Sequence, residues 1–133
     1  VVVAPAYLEE RGPPTDPAAL AGHDCLGYGE PSPLNRWDIA DADGQALRIQ
    51  PVLLADSCET VKRLCLAGQG IACLPDFTVA EDLAAGRLVE LFAARRLAVA
   101  TDFSAVYYAS AAVSPTICAF IDFLVECWGP INT

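Results

Sequence analysis

A serine, a cysteine and two carboxylates stand together in the run Asp56-Ser57-Cys58-Glu59, at what reads as the start of a helix. Backbone N–H groups at a helix N-terminus, together with the Ser57 hydroxyl, can hold a carboxylate or carbonyl group. A thiol at the same place is drawn toward thiolate by the helix dipole, which makes Cys58 a redox candidate. Asp56 and Glu59 oppose both readings: they compete for the donors, repel an anion and raise the thiol pKa. A neutral or amine-bearing ligand therefore has equal standing. Cys65 follows Cys58 by two helical turns, about 10 Å, too far for a disulfide unless the helix unfolds. Other chemistries lack their parts. His23 is the single histidine and sits at a loop-to-strand junction with no flanking signature of a Cys–His pair, so the constellation for nucleophilic or general-base catalysis is missing and no enzyme activity is expected. The six cysteines contain no CxxC pair and fall inside predicted strands and helices, which reads as buried reduced thiols; neither a metal nor a cofactor is expected.

The elements that position these groups can be read from the spacing of apolar residues. Residues 52–75, VLLADSCETVKRLCLAGQGIACLP, read as strand, helix, glycine turn and strand. Asp56 is placed as the N-cap with Glu59 three residues on. Val61, Leu64 and Cys65 form one apolar helix face over about 57–67, Gly68 ends the helix, and Ile71-Ala72-Cys73-Leu74 is a buried strand. A βαβ unit of this kind sets both strand ends and the helix N-terminus on one sheet edge, where open α/β folds bind ligands. Tyr28, closing a predicted strand at 24–28, reads either as lining that edge or as a half-buried structural tyrosine.

Upstream, Val1-Val2-Val3 reads as a strand, Pro5 to Arg11 as a short helix ended by Gly12, and Asp16-Pro17 as a capped turn. Residues 29–35 read as a Pro-rich loop, and Trp37–Ile39 with Leu47–Ile49 as a hairpin around Asp43-Gly44. Downstream, a helix over 76–85 stops at Gly86 and a strand covers 88–91. The stretch 92–101 is undetermined, 103–109 reads as a strand, and Ser114-Pro115 opens a helix with the stripe Ile117, Phe120, Ile121, Leu124 and Trp128.

With 133 residues, 54% of them hydrophobic, the chain can bury a sizeable core as one domain or slightly more. A net charge of −9 with eight Lys and Arg excludes these residues from gripping a nucleic-acid backbone, so any DNA contact must come from elsewhere. No apolar run is long enough for a helical membrane span, and no signal peptide is expected. The absence of Met and the abrupt start at Val1 lead to the expectation of a fragment of a longer, cytoplasmic protein.

Five motifs in register carry a resemblance: Ala4-Pro5-Ala6-Tyr7-Leu8; Leu20-Ala21-Gly22-His23-Asp24-Cys25-Leu26; Trp37 before Asp43-Gly44; Leu66-Ala67-Gly68-Gln69-Gly70-Ile71-Ala72-Cys73-Leu74-Pro75; and Ser114-Pro115 before Ala119-Phe120-Ile121-Asp122-Phe123-Leu124. Their order resembles the effector-binding domain of LysR-type transcriptional regulators across nearly the whole chain. That resemblance implies an α/β fold of the type 2 periplasmic-binding-protein kind. About residues 5–101 would form one complete lobe, the second regulatory subdomain, and 102–128 the C-terminal strand and helix of the first lobe; the rest of that lobe and the DNA-binding domain would be absent. It also implies a small-molecule effector held between lobes near Ala4, Pro5, Tyr28, Asp56, Ser57, Cys58, Leu74 and Pro75. Ala4 stands where the family often has a hydroxyl residue. The partners implied are that effector, a second copy in a homodimer or higher oligomer, and DNA through a separate winged helix-turn-helix domain. The helix over 59–67, with Lys62 and Arg63 facing outward, would contribute to pairing. Two alternatives stand beside this reading: a redox-sensing regulator using Cys58, and a periplasmic-type solute-binding protein.

Overall fold

The computed structural model describes residues 1–29, 31–98 and 114–128. The chain divides into two compact units, Val1–Ala100 and Thr101–Thr133.

In the first unit, β1 (Val2–Val3) lies between β6 (Ile71–Ala72) and β7 (Val89–Glu90) and is antiparallel to both. A second pairing joins β2 (Leu26–Tyr28) in parallel with β5 (Leu53–Ala55). The two are sewn together where Cys25 bridges Ile71 in parallel and the Ile71 N–H donates to the Asp24 carbonyl at 2.9 Å. The strand order is therefore β7-β1-β6-β2-β5. The strands of the expected βαβ unit, β5 and β6, run the same way but are not neighbours, because β2 lies between them.

Alternation along the strands separates two buried clusters, as the two-residue period of a strand requires. Val2, Leu26, Ala72 and Leu74 pack with Val61 and Cys65 of α2 (Cys58–Leu66) and Val79 of α3 (Asp76–Ala84). Val3, Cys25 and Ile71 pack on the other face with Tyr7 of α1 (Pro5–Arg11) and with Trp37 and Ile39 of β3 (Arg36–Ala40). Burying each such Val, Leu or Ile side chain contributes about 1.5–3 kcal/mol. The predicted hairpin is present as β3 and β4 (Ala46–Arg48), closed by Asp41, whose carboxylate accepts from the N–H groups of Asp43 and Gln45. The undetermined stretch after β7 runs back along β3: Ile39 bridges Arg96 and the Leu97 N–H donates to the Asp38 carbonyl.

Asp82 is the buried carboxylate of this unit, at 4% exposure. It accepts from Lys62 Nζ at 3.0 Å and Arg87 Nε at 2.6 Å, and its carbonyl takes the N–H groups of Arg87 and Leu88. One side chain thus ties α2, α3 and the turn into β7. The expectation that Lys62 faces outward is corrected: its ammonium is turned onto Asp82, because a buried carboxylate requires a partner.

In the second unit, α4 (Pro115–Trp128) opens as expected, with the Ser114 carbonyl accepting from the Ile117 and Cys118 N–H groups. Ile117, Ile121 and Leu124 are its least exposed described residues. The strand expected at 103–109 lies outside the described residues.

A Cβ on residue 70 would stand 2.2 Å from the Asp24 carbonyl oxygen, whereas one on residue 22 would meet open space. Gly70→Ala is expected to cost roughly 3 kcal/mol or more in chemical denaturation, and Gly22→Ala less than about 0.5. Lys62 and Arg87 hold the Asp82 carboxyl below its ordinary 3.8. A depressed folded-state pKa stabilises the fold above the unfolded value and loses that contribution as pH falls through the folded one. Asp82→Asn should therefore destabilise the chain at pH 7, and the difference from wild type should shrink progressively below pH 4, as read from denaturation midpoints.

Candidate functional site

Strand direction decides where a ligand mouth can lie. β2, β5, β6 and β7 all run opposite to β1, so their carboxyl ends share one edge with the beginning of β1. That edge collects Tyr28 at the end of β2, Asp56-Ser57-Cys58 after β5, Cys73-Leu74-Pro75 after β6, and Leu91-Phe92 after β7. Val1 joins them, its carbonyl accepting from the Leu91 N–H at 2.8 Å. Because α2 returns antiparallel to the strands, its N-terminus opens on the same edge.

Ser57, in extended conformation, is the N-cap of α2: its Oγ accepts from the Thr60 N–H at 3.2 Å and shares a hydrogen bond with Thr60 Oγ1 at 2.9 Å. This corrects the assignment of the cap to Asp56, which lies one residue outside the helix and is exposed. The Ser57 hydroxyl is thus engaged in capping. Helix geometry leaves the first-turn N–H groups of Cys58 and Glu59 as donors without an intrahelical acceptor. Glu59 is paired with Arg63 at 2.9 Å along the exposed helix face, which partly offsets its charge at the mouth.

Tyr28 and Cys58 are half-buried and pack against the cluster that holds Leu74. Burial first, then the neighbouring Cys58 thiol and after it Cys73, push the Tyr28 phenol up to about 12. The remaining described thiols of this unit are structural in character. Cys65 donates to the Val2 carbonyl and is pushed up to about 12 by burial, and Cys25 likewise to about 11. Burial also raises Cys73. All six cysteines are free, and no cluster of metal-ligating side chains forms among the described residues.

Ala4 and Pro5 are placed elsewhere. β1 starts at the mouth and runs away from it, so the crossover Val3-Ala4-Pro5 emerges at the opposite edge, toward the far end of α2: a Cβ on Gly68 would stand 3.9 Å from Ala6 Cβ. Ala4 is 3% exposed. The missing hydroxyl at residue 4 therefore has no bearing on the mouth. His23, the C-cap of the turn Pro17–Gly22, is half-buried at that same far edge, its Nδ1 3.3 Å from the Tyr7 hydroxyl.

Several residues at the mouth were not singled out from the sequence. Phe92 holds left-handed backbone, φ 58 and ψ 32, a conformation that a bulky residue rarely adopts. It follows β7 within a stretch without a readable period. Asn35, read as loop, is 1% exposed. Its carboxamide accepts from the Tyr28 N–H at 2.9 Å and donates to the Tyr28 carbonyl at 2.8 Å. The available signal was Gly27, since a glycine inside a strand often marks a close approach; a Cβ there would stand 2.5 Å from Asn35 Oδ1. An open depression of about 440 Å³ lined by Arg48, Ile49, Gln50, Pro51 and Leu54 shares no residue with the mouth.

This architecture has close counterparts. Residues 1–128 match the family model described as the LysR substrate binding domain. The chain is 45% identical over 126 residues to the HTH-type transcriptional regulator CrgA of Neisseria meningitidis, covering 95% of this chain and 42% of that protein. It is 34% identical to the regulator PtxR of Pseudomonas aeruginosa, covering 94% of this chain and 40% of PtxR. The solved CrgA regulatory domain superposes with a TM-score of 0.90 at 44% identity, covering 96% of this chain and 63% of that structure. Full-length AphB of Vibrio cholerae is more distant, with a TM-score of 0.59 at 28% identity over 69% of this chain and 32% of AphB. The chain thus spans less than half the length of these regulators, and with its family match and its type 2 periplasmic-binding-protein-like α/β fold it belongs to the LysR substrate-binding domain family.

Proposed function

We propose that the chain is the effector-sensing and oligomerisation part of a bacterial LysR-type transcriptional regulator, acting on transcription through a separate winged helix-turn-helix domain in the cytoplasm. Residues of about 5–101 serve as the second lobe of the sensor, and 102–128 return to the first. The observation that carries this reading is the shared edge. The carboxyl ends of β2, β5, β6 and β7, the start of β1 and the N-terminus of α2 converge on one mouth. A small molecule seated there contacts Tyr28, Cys58 and Leu74, with Asp56, Ser57 and Pro75 at the rim. Ala4 and Pro5, at the far edge, are not part of the site.

Binding at such a place shifts the equilibrium between lobe arrangements by the difference in affinity for each. The paired copies then present their DNA-binding domains differently. The mechanism needs no covalent step and no cofactor. Asp56 at the rim and the helix N–H donors of Cys58 and Glu59 together favour a ligand carrying both a donor and an acceptor. The redox reading receives less support, since the second thiol of α2, Cys65, is buried and raised in pKa, which disfavours the thiolate that oxidation requires.

Thermal unfolding of the intact regulator against small aromatic acids, amino acids and amines is the test. A compound present at a hundred times its Kd adds about 2.7 kcal/mol of stability, and Tyr28→Phe or Asp56→Asn should reduce that shift. Ser57→Ala removes the cap and should by itself cost about 1 kcal/mol. A melting temperature unmoved by every compound, but moved by peroxide in a manner abolished by Cys58→Ser, would overturn the reading in favour of redox sensing.

A further inference from the structure

Beyond the parallel bridge at Cys25, β2 extends past its neighbour β6, and the backbone of Tyr28 has a strand on one side only, at Ala55 of β5. Its N–H and carbonyl are both taken by one side chain. Asn35 Oδ1 accepts from the N–H at 2.9 Å and Asn35 Nδ2 donates to the carbonyl at 2.8 Å, the pair of bonds that a neighbouring strand residue would make. The Asn35 backbone is held as well, its carbonyl accepting from the Ile49 N–H at 3.0 Å and its N–H donating to the Ser32 carbonyl. Room for the carboxamide exists because residue 27 is glycine: a Cβ there would stand 2.5 Å from Asn35 Oδ1 and 2.8 Å from Pro51 Cβ. Asn35 is 1% exposed, so its amide has been withdrawn from water to make these bonds, and a buried amide carries a cost unless it is hydrogen-bonded.

From this geometry we infer that Asn35 is a positioning residue of the effector site: acting as a one-residue strand, it fixes the backbone of Tyr28 and so sets where the phenol stands beside the Cys58 thiol. The inference rests on Tyr28 lining the site as proposed above. Its consequence is specific. Leu26 and Tyr28 project to the same face of β2, but Tyr28 lies at the strand end, where Asn35 takes both of its backbone hydrogen-bonding groups. Loss of the clamp frees the phenol without reaching the core around Leu26. Asp is not equivalent at this position, because a carboxylate accepts from the Tyr28 N–H but has no donor for its carbonyl.

The test is made on the 133-residue chain with ring-labelled tyrosine and amide NMR, and needs no ligand. In the unmodified chain the Tyr28 amide and the Asn35 carboxamide protons are expected to exchange with solvent at least a hundredfold more slowly than those of the exposed Gln50. In Asn35→Ala, the ring signal identified as Tyr28 by its loss in Tyr28→Phe is expected to move, while the signals of Tyr7 and of the Trp37 indole stay in place. Asn35→Asp should give an intermediate displacement. Rapid exchange of the two amides in the unmodified chain would overturn the proposal, whatever the variants do. So would a Tyr28 signal unmoved in Asn35→Ala, or one moved only together with Tyr7 and Trp37, which marks a general loss of structure. Since the readout is ligand-free, failure here leaves the sensor reading intact, and a sensor that binds nothing in the melting panel leaves the clamp intact.

Discussion

The contact between Gly70 and the Asp24 carbonyl decides how the rest of the molecule is arranged. With a hydrogen in place of a side chain at residue 70, β6 closes on β2 and the Ile71 N–H reaches Asp24 at 2.9 Å. Without that seam the molecule would hold two separate sheets, β7-β1-β6 and β2-β5. With it, strands from both share a direction and an edge, and the N-terminus of α2 opens beside the end of β2. The mouth is therefore a product of sheet closure on the far side: a close approach at the amino ends of the strands sets the spacing at their carboxyl ends.

Two further ties hold that arrangement under the helices and the hairpin. Asp82 gathers Lys62 of α2 and Arg87 of the turn before β7 onto one buried carboxylate, so α2, which supplies the mouth with its helix N-terminus, is tied to α3 and the turn into β7. Burial and pairing make this a polar contact whose loss leaves an uncompensated charge. On the hairpin side, Asn35 joins β2 to the start of β3, and the segment after β7 is laid along β3 through Ile39 and Arg96. Arg96 also pairs with Asp76 at the start of α3. The segment after β7 is thereby in contact with both the hairpin and the start of α3.

Much of this was legible in the sequence, for particular reasons. The 52–75 segment was readable because two short apolar runs flank a stretch with helical apolar spacing, with glycines at the helix stop and the tight turn. The hairpin was readable from Asp43-Gly44, and the family from five motifs in register. What failed did so at single-residue resolution or in topology. Asp56 and Ser57 are both good caps, and only the extended backbone of Ser57 settles which hydrogen-bonds Thr60. Ala4 and Pro5 were implied at the cleft by the family resemblance alone, and β1, antiparallel to its neighbours, carries that crossover to the far edge. Asn35 was hidden in a Pro-rich stretch, since a side chain that imitates a strand has no periodicity of its own. Phe92 was invisible because left-handed backbone at a bulky residue is imposed by its surroundings and leaves no mark in composition.

As a sensor, the protein receives its effector at the carboxyl-end edge and at no other surface. Hydrogen exchange of the intact regulator, with and without a compound that raises its melting temperature, is the decisive test. Slowed exchange is expected in segments 1–3, 26–28, 56–60 and 73–76, with the hairpin over 36–48 unchanged. Slowed exchange confined to the depression at Arg48–Leu54, or to the far edge around Ala4 and His23, would contradict it.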